Sequence, residues 1–324
     1  MRVLIIHSVV SADAPPEDRD TLLTARAIAE TLRGAGHTAM LAPFDIAPEA
    51  THALVKQSQA DIVFNMVETA LDCDGLAAAA PAIFDQLGVA YTGSGAASIM
   101  LAGDKPLAKA VMRAAGLPTP DWAVRPLWRG LREGAAYVVK SATEDASLAL
   151  DDQSIATTRE AVAARAEFCA ERHGGRWFAE AYIEGREYNV ALIEDATGWL
   201  VLPIPEMRFE EWPAGKPRIV GYRAKWDERS FESRRTTRAF GLEREEPVLA
   251  ASLAGLARRA CALIGLSGYA RADFRVDAAG SPMILEINPN PCLAPDAGFA
   301  AAAEAAGWSY ADLMERILDA ALRK

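Results

Sequence analysis

Arg271-Ala-Asp273-Phe-Arg-Val-Asp277, then Met283-Ile-Leu-Glu286-Ile-Asn288-Pro-Asn290-Pro291, is the stretch that decides the reading of this chain. Both halves alternate like strands, and the link Asp277-Ala-Ala-Gly280-Ser-Pro282 has turn composition, so a hairpin is expected. Side chains two apart share a strand face. Arg271, Asp273 and Arg275 should therefore point one way, and Phe274 and Val276 the other. On the second strand Glu286 and Asn288 should point together, with Leu285 and Ile287 in the core. Two carboxylates, an amide and an arginine then converge on one patch of sheet. Such a cluster either holds a cation or is a solvated salt-bridge face. Oxygen-only ligands favour a hard metal such as magnesium, which usually comes with phosphates.

Working outward, bulk properties narrow the classes. The chain has 324 residues, is 51% hydrophobic and carries a net charge of −10. That length suggests two or three domains. The acidic balance disfavours nucleic acid as a partner, since non-specific binding needs a basic surface. The four cysteines are far apart, and none forms a CxxC pair, so neither a zinc site nor a disulfide framework is suggested. The apolar run at the N-terminus is too short for a signal peptide, and no stretch reads as long enough to span a bilayer. A cytoplasmic protein without a membrane partner is expected.

Val3 to Ile6 reads as a strand buried in a parallel sheet, Thr21 to Arg33 as a helix, His37–Pro43 and Asp61–Val67 as strands, and Gly75–Leu87 as a helix. This alternation predicts a doubly wound α/β domain over residues 1–95. A second unit, 96–183, starts with a helix over Ala96–Ala115 that Pro106 could interrupt. It continues with strands at Trp122–Val124, Tyr137–Lys140 and Trp177–Tyr182. A third unit, 184–324, holds strands at Glu187–Ile193 and Trp199–Ile204, a polar stretch from Glu206 to Phe240, a helix at Pro247–Ile264 and the hairpin.

The usual phosphate cradles are missing: no GxxxxGK[ST] occurs, and Gly93-Ser-Gly95-Ala-Ala-Ser98 lacks the third glycine of a dinucleotide fingerprint. Two lysines offer another solution. Lys140 ends an apolar strand and precedes the small polar loop Ser141-Ala-Thr-Glu144-Asp-Ala-Ser147, which can close over phosphates; Lys105 could add a second charge. Glu180 and Glu187 flank a strand break at Gly185, a hinge whose backbone groups could face a purine edge.

Together these pieces resemble the ATP-grasp superfamily, specifically its D-alanine–D-alanine ligase branch, over nearly the whole chain. The resemblance is carried by Tyr91-Thr-Gly-Ser-Gly95 with Asp104-Lys105, by Ala115-Gly-Leu-Pro-Thr-Pro120, by Val138-Val-Lys140 with Glu144 and Ser147, by Gly185-Arg-Glu187, by Tyr222-Arg-Ala-Lys225-Trp226, and by Arg271-Ala-Asp273 with Leu285-Glu286-Ile-Asn288. It implies an α/β fold of three domains, α+β in the C-terminal half, sandwiching ATP. It implies ATP and magnesium as cofactors, two ions with manganese able to substitute, and a possible homodimer. By resemblance Lys105, Lys140, Glu144 and Ser147 would meet the phosphates. Glu180 and the backbone of Ala181, Tyr182 and Ile183 would meet adenine, and Glu187 the ribose. Asp273, Glu286 and Asn288 would hold the metal. Arg271 would stabilise the oxyanion, Lys225 would close over the transferred phosphoryl group, and Glu17 would meet the first substrate's amino group.

That set implies a ligase that converts a carboxylate to an acyl phosphate and passes it to an amine, with small-molecule carboxylate and amine substrates. The substrate-facing positions depart from the branch. Glu17's usual serine and tyrosine partners are replaced by Ala146 and Trp226, and the serine that grips the second substrate's carboxylate falls at Ala297. Amino acids or their derivatives are therefore the expected substrates. A genuine D-alanine–D-alanine ligase, a non-catalytic nucleotide-binding module and a metal-dependent hydrolase stand as alternatives. A lid is expected within Glu206–Phe240.

Overall fold

The apolar N-terminal run becomes β1 (Arg2–His7), which pairs in parallel with β2 (Thr38–Pro43) on one side and β3 (Ile62–Met66) on the other. The computed structural model describes residues 1–324 except Ala12 and Asp72. Helices α1 (Pro16–Gly34), α2 (Pro48–Ser58) and α3 (Ala79–Leu87) complete this unit. Helix α1 starts earlier than its apolar periodicity indicates. Pro16, whose fixed φ suits a first turn, opens it, and Glu17 and Asp18 favour that end electrostatically. Glu17 is thus a helical residue.

The expected long helix over 96–115 is two helices, α4 (Ala96–Gly103) and α5 (Lys105–Ala114). The break falls at Asp104, whose carboxylate caps α5 by accepting from Leu107 N (3.1 Å). Pro106 sits in the first turn of α5, where its missing N–H costs nothing. Strands β4 (Trp122–Val124), β5 (Tyr137–Ser141), β6 (Ile155–Ala156) and β7 (Trp177–Ala181) form an antiparallel sheet in the order β4-β7-β5-β6, backed by α6 (Arg159–His173).

The third sheet centres on β8 (Arg186–Asp195). Strand β9 (Gly198–Val201) returns along the end of β8, and β10 (Glu206–Phe209) pairs with its start. After the short helices α7 (Tyr222–Trp226) and α8 (Phe231–Arg235) comes β11 (Thr236–Ala239), on the outer edge of β10. Helices α9 (Leu242–Glu245) and α10 (Pro247–Ile264) lead to the hairpin β12 (Tyr269–Val276) and β13 (Pro282–Asn288). The chain closes with α11 (Gly298–Ala305) and α12 (Tyr310–Leu322). The stretch 206–240 is therefore bracketed by two sheet strands, so only residues 210–235 project from the sheet.

Helix α10 corrects one expectation. By length and composition it is apolar enough to cross a bilayer. Its buried residues Ala250, Leu253, Ala257, Ala260, Cys261 and Ile264 recur at helical spacing and pack against Val190, Ala272, Phe274 and Ile284 of the third sheet. The same stripe that raises its hydropathy is a core face. Helix α12 joins two units: Leu313, Met314, Ile317 and Leu318 share one core with Val3, Ile5, Phe64 and Met66 of the first sheet and with Ala191 and Ile193 of β8.

A bulge in the hairpin sets the site. Asp273 faces Glu286, but Phe274 faces Ile284, so Leu285 is an extra residue on β13. Ile284 and Ile287, not Leu285 and Ile287, are the buried pair. The strict period of two fails at that point because the extra residue flips the alternation.

Between β7 and β8 the chain turns at Gly185, with φ +153°, and a Cβ there would overlap the carbonyl oxygen of Val276. Gly185→Ala is expected to destabilise the protein by about 3 kcal/mol through strain and backbone displacement. A urea unfolding midpoint equal to that of the parent would contradict this.

Candidate active site

Adjacent strands bring the acidic and basic groups together. In the β12–β13 ladder Arg271 lies opposite Asn288 and Asp273 opposite Glu286. Arg271 donates to both oxygens of Asp273 (2.8 and 2.9 Å), and Asn189 of β8 donates a third bond to that carboxylate (2.8 Å). Two apart on β8, the buried Glu187 pairs with Arg275 at 2.9 Å. Burial raises the pKa of Glu187 and Arg275 opposes that shift. Asn288 accepts from the backbone N–H of Asn290 (2.8 Å), which holds its amide in place.

Glu286 is the centre of the cluster. Burial alone would keep it protonated, but Lys105, Lys140, Lys225 and Arg271 together pull its pKa down to about 2. These cations come from four elements: the first turn of α5, β5, α7 and β12. Lys105 is 6% exposed and bonds to the carbonyl of Glu144 (3.1 Å) and the carboxylate of Asp145 (2.7 Å) in the loop after β5. Burial works against its charge, yet Asp145 and Glu286 hold its pKa above the ordinary lysine range. Lys225 goes the other way, lowered by partial desolvation and by the Arg271 charge, although the residue is exposed at the surface.

The small polar loop is structured rather than open. Ser141 Oγ accepts from the backbone N–H of Glu144 (2.9 Å), and Ser147 donates to Val220 O (3.0 Å). The backbone N–H of Asp145 donates to Asp74 (3.1 Å), tying the loop to the first unit. Burial first, then the Glu144 charge, pushes the Asp74 carboxyl up to about 8. Glu180 lies 2.8 Å from Lys140 and also pairs with Lys109, which is fully buried. Burial lowers the Lys109 pKa to about 8 against the pull of Glu180. Ala181 and Tyr182 donate their N–H groups to Asp121 O (2.7 Å) and Ala136 O (2.9 Å).

Glu17 also finds a partner, though not at the expected position. Tyr222 donates its hydroxyl to Glu17 at 2.7 Å. Trp226, one helical turn later, donates its indole N–H to the carbonyl of Ala146 (2.9 Å). One hydroxyl that looked lost from the mobile segment is thus supplied four residues earlier on the same helix face. The first turns of α1 carry two more contacts. Thr21 donates to Glu68 (3.1 Å), and the Cys292 thiol lies 3.2 Å from Asp20. Burial raises the Glu68 pKa to about 7; Thr21 opposes the shift and Asp20 adds to it. Burial also raises the Cys292 thiol pKa, so Cys292 is not a nucleophile at neutral pH.

Sequence reasoning missed Asn189, Lys109 and Glu68. Asn189 was within reach, because it alternates with Glu187 on one strand face. Lys109 sits one turn after Lys105 and interrupts an apolar face, a pattern that usually marks a surface lysine.

Among the described residues no group of three His, Cys, Asp or Glu side chains is gathered for a metal. The candidate donors are two cross-strand carboxylates and an amide. This all-oxygen set suits magnesium, which takes one or two protein carboxylates and completes its shell with phosphates and water.

Comparison with known proteins decides the family. A family model described as D-ala D-ala ligase C-terminus matches residues 131–319. A D-alanine–D-alanine ligase from Synechococcus sp. (strain JA-3-3Ab) is 32% identical over 345 residues, covering 100% of this chain and 94% of that protein. The chain belongs to the D-alanine–D-alanine ligase family. A further family member, from Methylococcus capsulatus, is 30% identical and covers 96% of this chain and 94% of its own length. The solved D-alanine–D-alanine ligase from Bacillus anthracis complexed with ATP superposes with a TM-score of 0.76, at 21% identity, over 100% of this chain and 98% of that one. The fold is thus ATP-grasp, and the protein is an ATP-dependent, ADP-forming ligase of the D-alanine–D-alanine ligase type acting on small molecules. ATP and magnesium are the general requirement of this family.

Proposed function

We propose that this ligase activates an amino-acid carboxylate as an acyl phosphate and couples it to an amine, with the residues around Glu286 as its machinery. The carrying observation is that four cations from separate elements, Lys105, Lys140, Lys225 and Arg271, converge on the Glu286 carboxylate. Three of them also hold Asp145, Glu180 or Asp273, and a triphosphate would compete for them once metal engages the carboxylates.

In this reading Lys105 and Lys140 take the phosphates, with Glu144, Ser147 and their loop covering them. Glu187 takes ribose hydroxyls. Adenine is met at the Glu180–Ile183 hinge, by carbonyls of Ala181 and Tyr182 and by Ile183, since the first two N–H groups are used within the sheet. Asp273, Glu286 and Asn288 would hold two magnesium ions, for which manganese can substitute. When bound, these ions would offset the charge repulsion between carboxylate and triphosphate.

A carboxylate oxygen is a poor leaving group and phosphate a good one, so phosphoryl transfer precedes amide formation. Lys225, on the α7 segment, closes over the transferred group. Arg271 neutralises the oxyanion when the amine attacks. Glu17, oriented by Tyr222, meets the amino group of the carboxylate substrate. Residues 210–235 exclude water from the acyl phosphate. The division into units 1–95, 96–183 and 184–324 belongs to this reading, as do a homodimer and the cytoplasm; free cysteines suit a reducing compartment.

The test is isotopic. With ATP, magnesium and a panel of D- and L-amino acids including D-alanine, carboxylate labelled with ¹⁸O should deliver one labelled oxygen to the phosphate released. Phosphate without label in a reaction that forms amide would sink the acyl-phosphate route.

A further inference from the structure

Arg275 is the third side chain on the face of β12 that carries Arg271 and Asp273, and the chemistry above leaves it unused. It is 3% exposed. In the β12–β8 ladder it lies opposite Glu187, and the two side chains form an ion pair at 2.9 Å. The rest of its fork is also committed. Nη1 donates to Gly185 O (3.1 Å) in the turn between β7 and β8, and Nη2 donates to Arg218 O. The guanidinium lies 5.7 Å from the ring centre of Tyr182 and 5.9 Å from that of Phe209. One buried cation thus touches the turn at Gly185, the carboxylate on β8 and the segment 210–235 that projects from the sheet.

Arg218 is held from both sides. Its carbonyl accepts from Arg275, and its N–H donates to the Tyr182 hydroxyl (3.1 Å). Tyr182 belongs to the hinge and Arg218 to the projecting segment, so these contacts fasten that segment to the nucleotide side of the site. Stability alone does not account for the pair beneath. A buried ion pair seldom gains over apolar side chains of the same volume. What the pair does supply is an oriented carboxylate with an opposing charge beside it. Burial raises the Glu187 pKa, and Arg275 works against that shift. An ionised carboxylate has about four acceptor sites, so a guanidinium at one oxygen leaves room for two hydroxyls.

We propose that Arg275 is a positioning residue for the nucleotide: it aims Glu187 at the ribose hydroxyls and fastens the carbonyl of Arg218, so that the enzyme selects a ribonucleotide over its deoxy forms and closes segment 210–235 in the same event. This rests on the ligase reading above and assigns the sugar selectivity of its nucleotide site.

ADP, 2′-deoxy-ADP and 3′-deoxy-ADP, each with magnesium, are titrated by calorimetry into the parent, Arg275→Met and Arg275→Lys. Trypsin cleavage within 210–235, a stretch rich in lysine and arginine, is followed at saturation with each nucleotide. The parent should bind ADP roughly 10- to 100-fold more tightly than either deoxy form, the worth of one hydrogen bond to a charged acceptor. ADP should also protect the segment best. In Arg275→Met the preference should fall to about threefold or less, and the three nucleotides should protect alike. A merely structural arginine would weaken all three equally and leave the ratio unchanged. Arg275→Lys keeps a charge for Glu187 but lacks the planar fork, so the preference should survive in part while protection by ADP is lost. If Arg275→Met does not fold, Arg275→Lys decides. A parent indifferent to the ribose hydroxyls, an undiminished preference in Arg275→Met, or full preference and full protection in Arg275→Lys overturns the assignment. Amine-dependent phosphate release from ATP by the parent judges the ligase reading separately. Release alongside any of those three results keeps that reading and drops this one. No release with any amine removes the ligase reading, and the ADP titrations then still decide the role of Arg275.

Discussion

Glu286→Gln is expected to lower amine-dependent ATP turnover by at least about 10³-fold, beyond the effect of losing a single transition-state donor, because the site loses both a metal carboxylate and the hub of its cation ring. The substitution keeps size and hydrogen-bonding capacity, so the loss is one of charge. Lys105, Lys140, Lys225 and Arg271 would then face one another without their shared counter-ion. A pH signature accompanies the change. The folded pKa of Glu286 is about 2 and the ordinary value 4.5, so its stabilisation is complete above pH 4.5 and is lost as pH falls toward 2. Acid unfolding of the variant should lack that component. Steady-state phosphate release and an acid titration of the urea midpoint check the two halves, and turnover within tenfold of the parent would remove Glu286 from the mechanism.

The second large effect concerns stability. Glu180→Gln strips the counter-charge from two lysines at once, one of them completely buried. Breaking a buried pair by neutralising one member costs about 3–5 kcal/mol, since the remaining charge stays desolvated. Lys109 adds a test of sign. Its pKa is about 8 when folded and 10.5 ordinarily, so between those values the unfolded chain binds the extra proton and stability rises with pH. Without Glu180 the lysine loses its proton more readily, and the rise starts at lower pH. The gap between parent and variant should therefore narrow as pH rises to about 8 and stay constant above it. A gap that does not change as pH rises toward 8 would mean that Glu180 acts through packing alone.

Much of this site was legible in the residue pattern. Period-two spacing placed Arg271, Asp273, Glu286 and Asn288 together, and the ladder pairs them directly. What the pattern hid depends on long-range packing. The extra residue at Leu285 has no local signature, because one added residue in a strand looks like any other until its partner is known. Tyr222 could not be matched to Glu17 from spacing, since the two are 205 residues apart and the link exists only when α7 folds over the first turn of α1. The same holds for Glu180. A carboxylate near a strand end reads as a ligand contact, and only the burial of Lys109 reveals that it also serves as a counter-ion.

Helix α12 is wedged between the first sheet and the third, sharing one core with Val3, Ile5 and Phe64 on one side and with Ala191, Ile193 and Tyr269 on the other. The earliest residues made on the ribosome thus wait for nearly the latest before their hydrophobic side is covered. Until then the nascent N-terminal half carries an open apolar surface, a natural client for chaperones during synthesis.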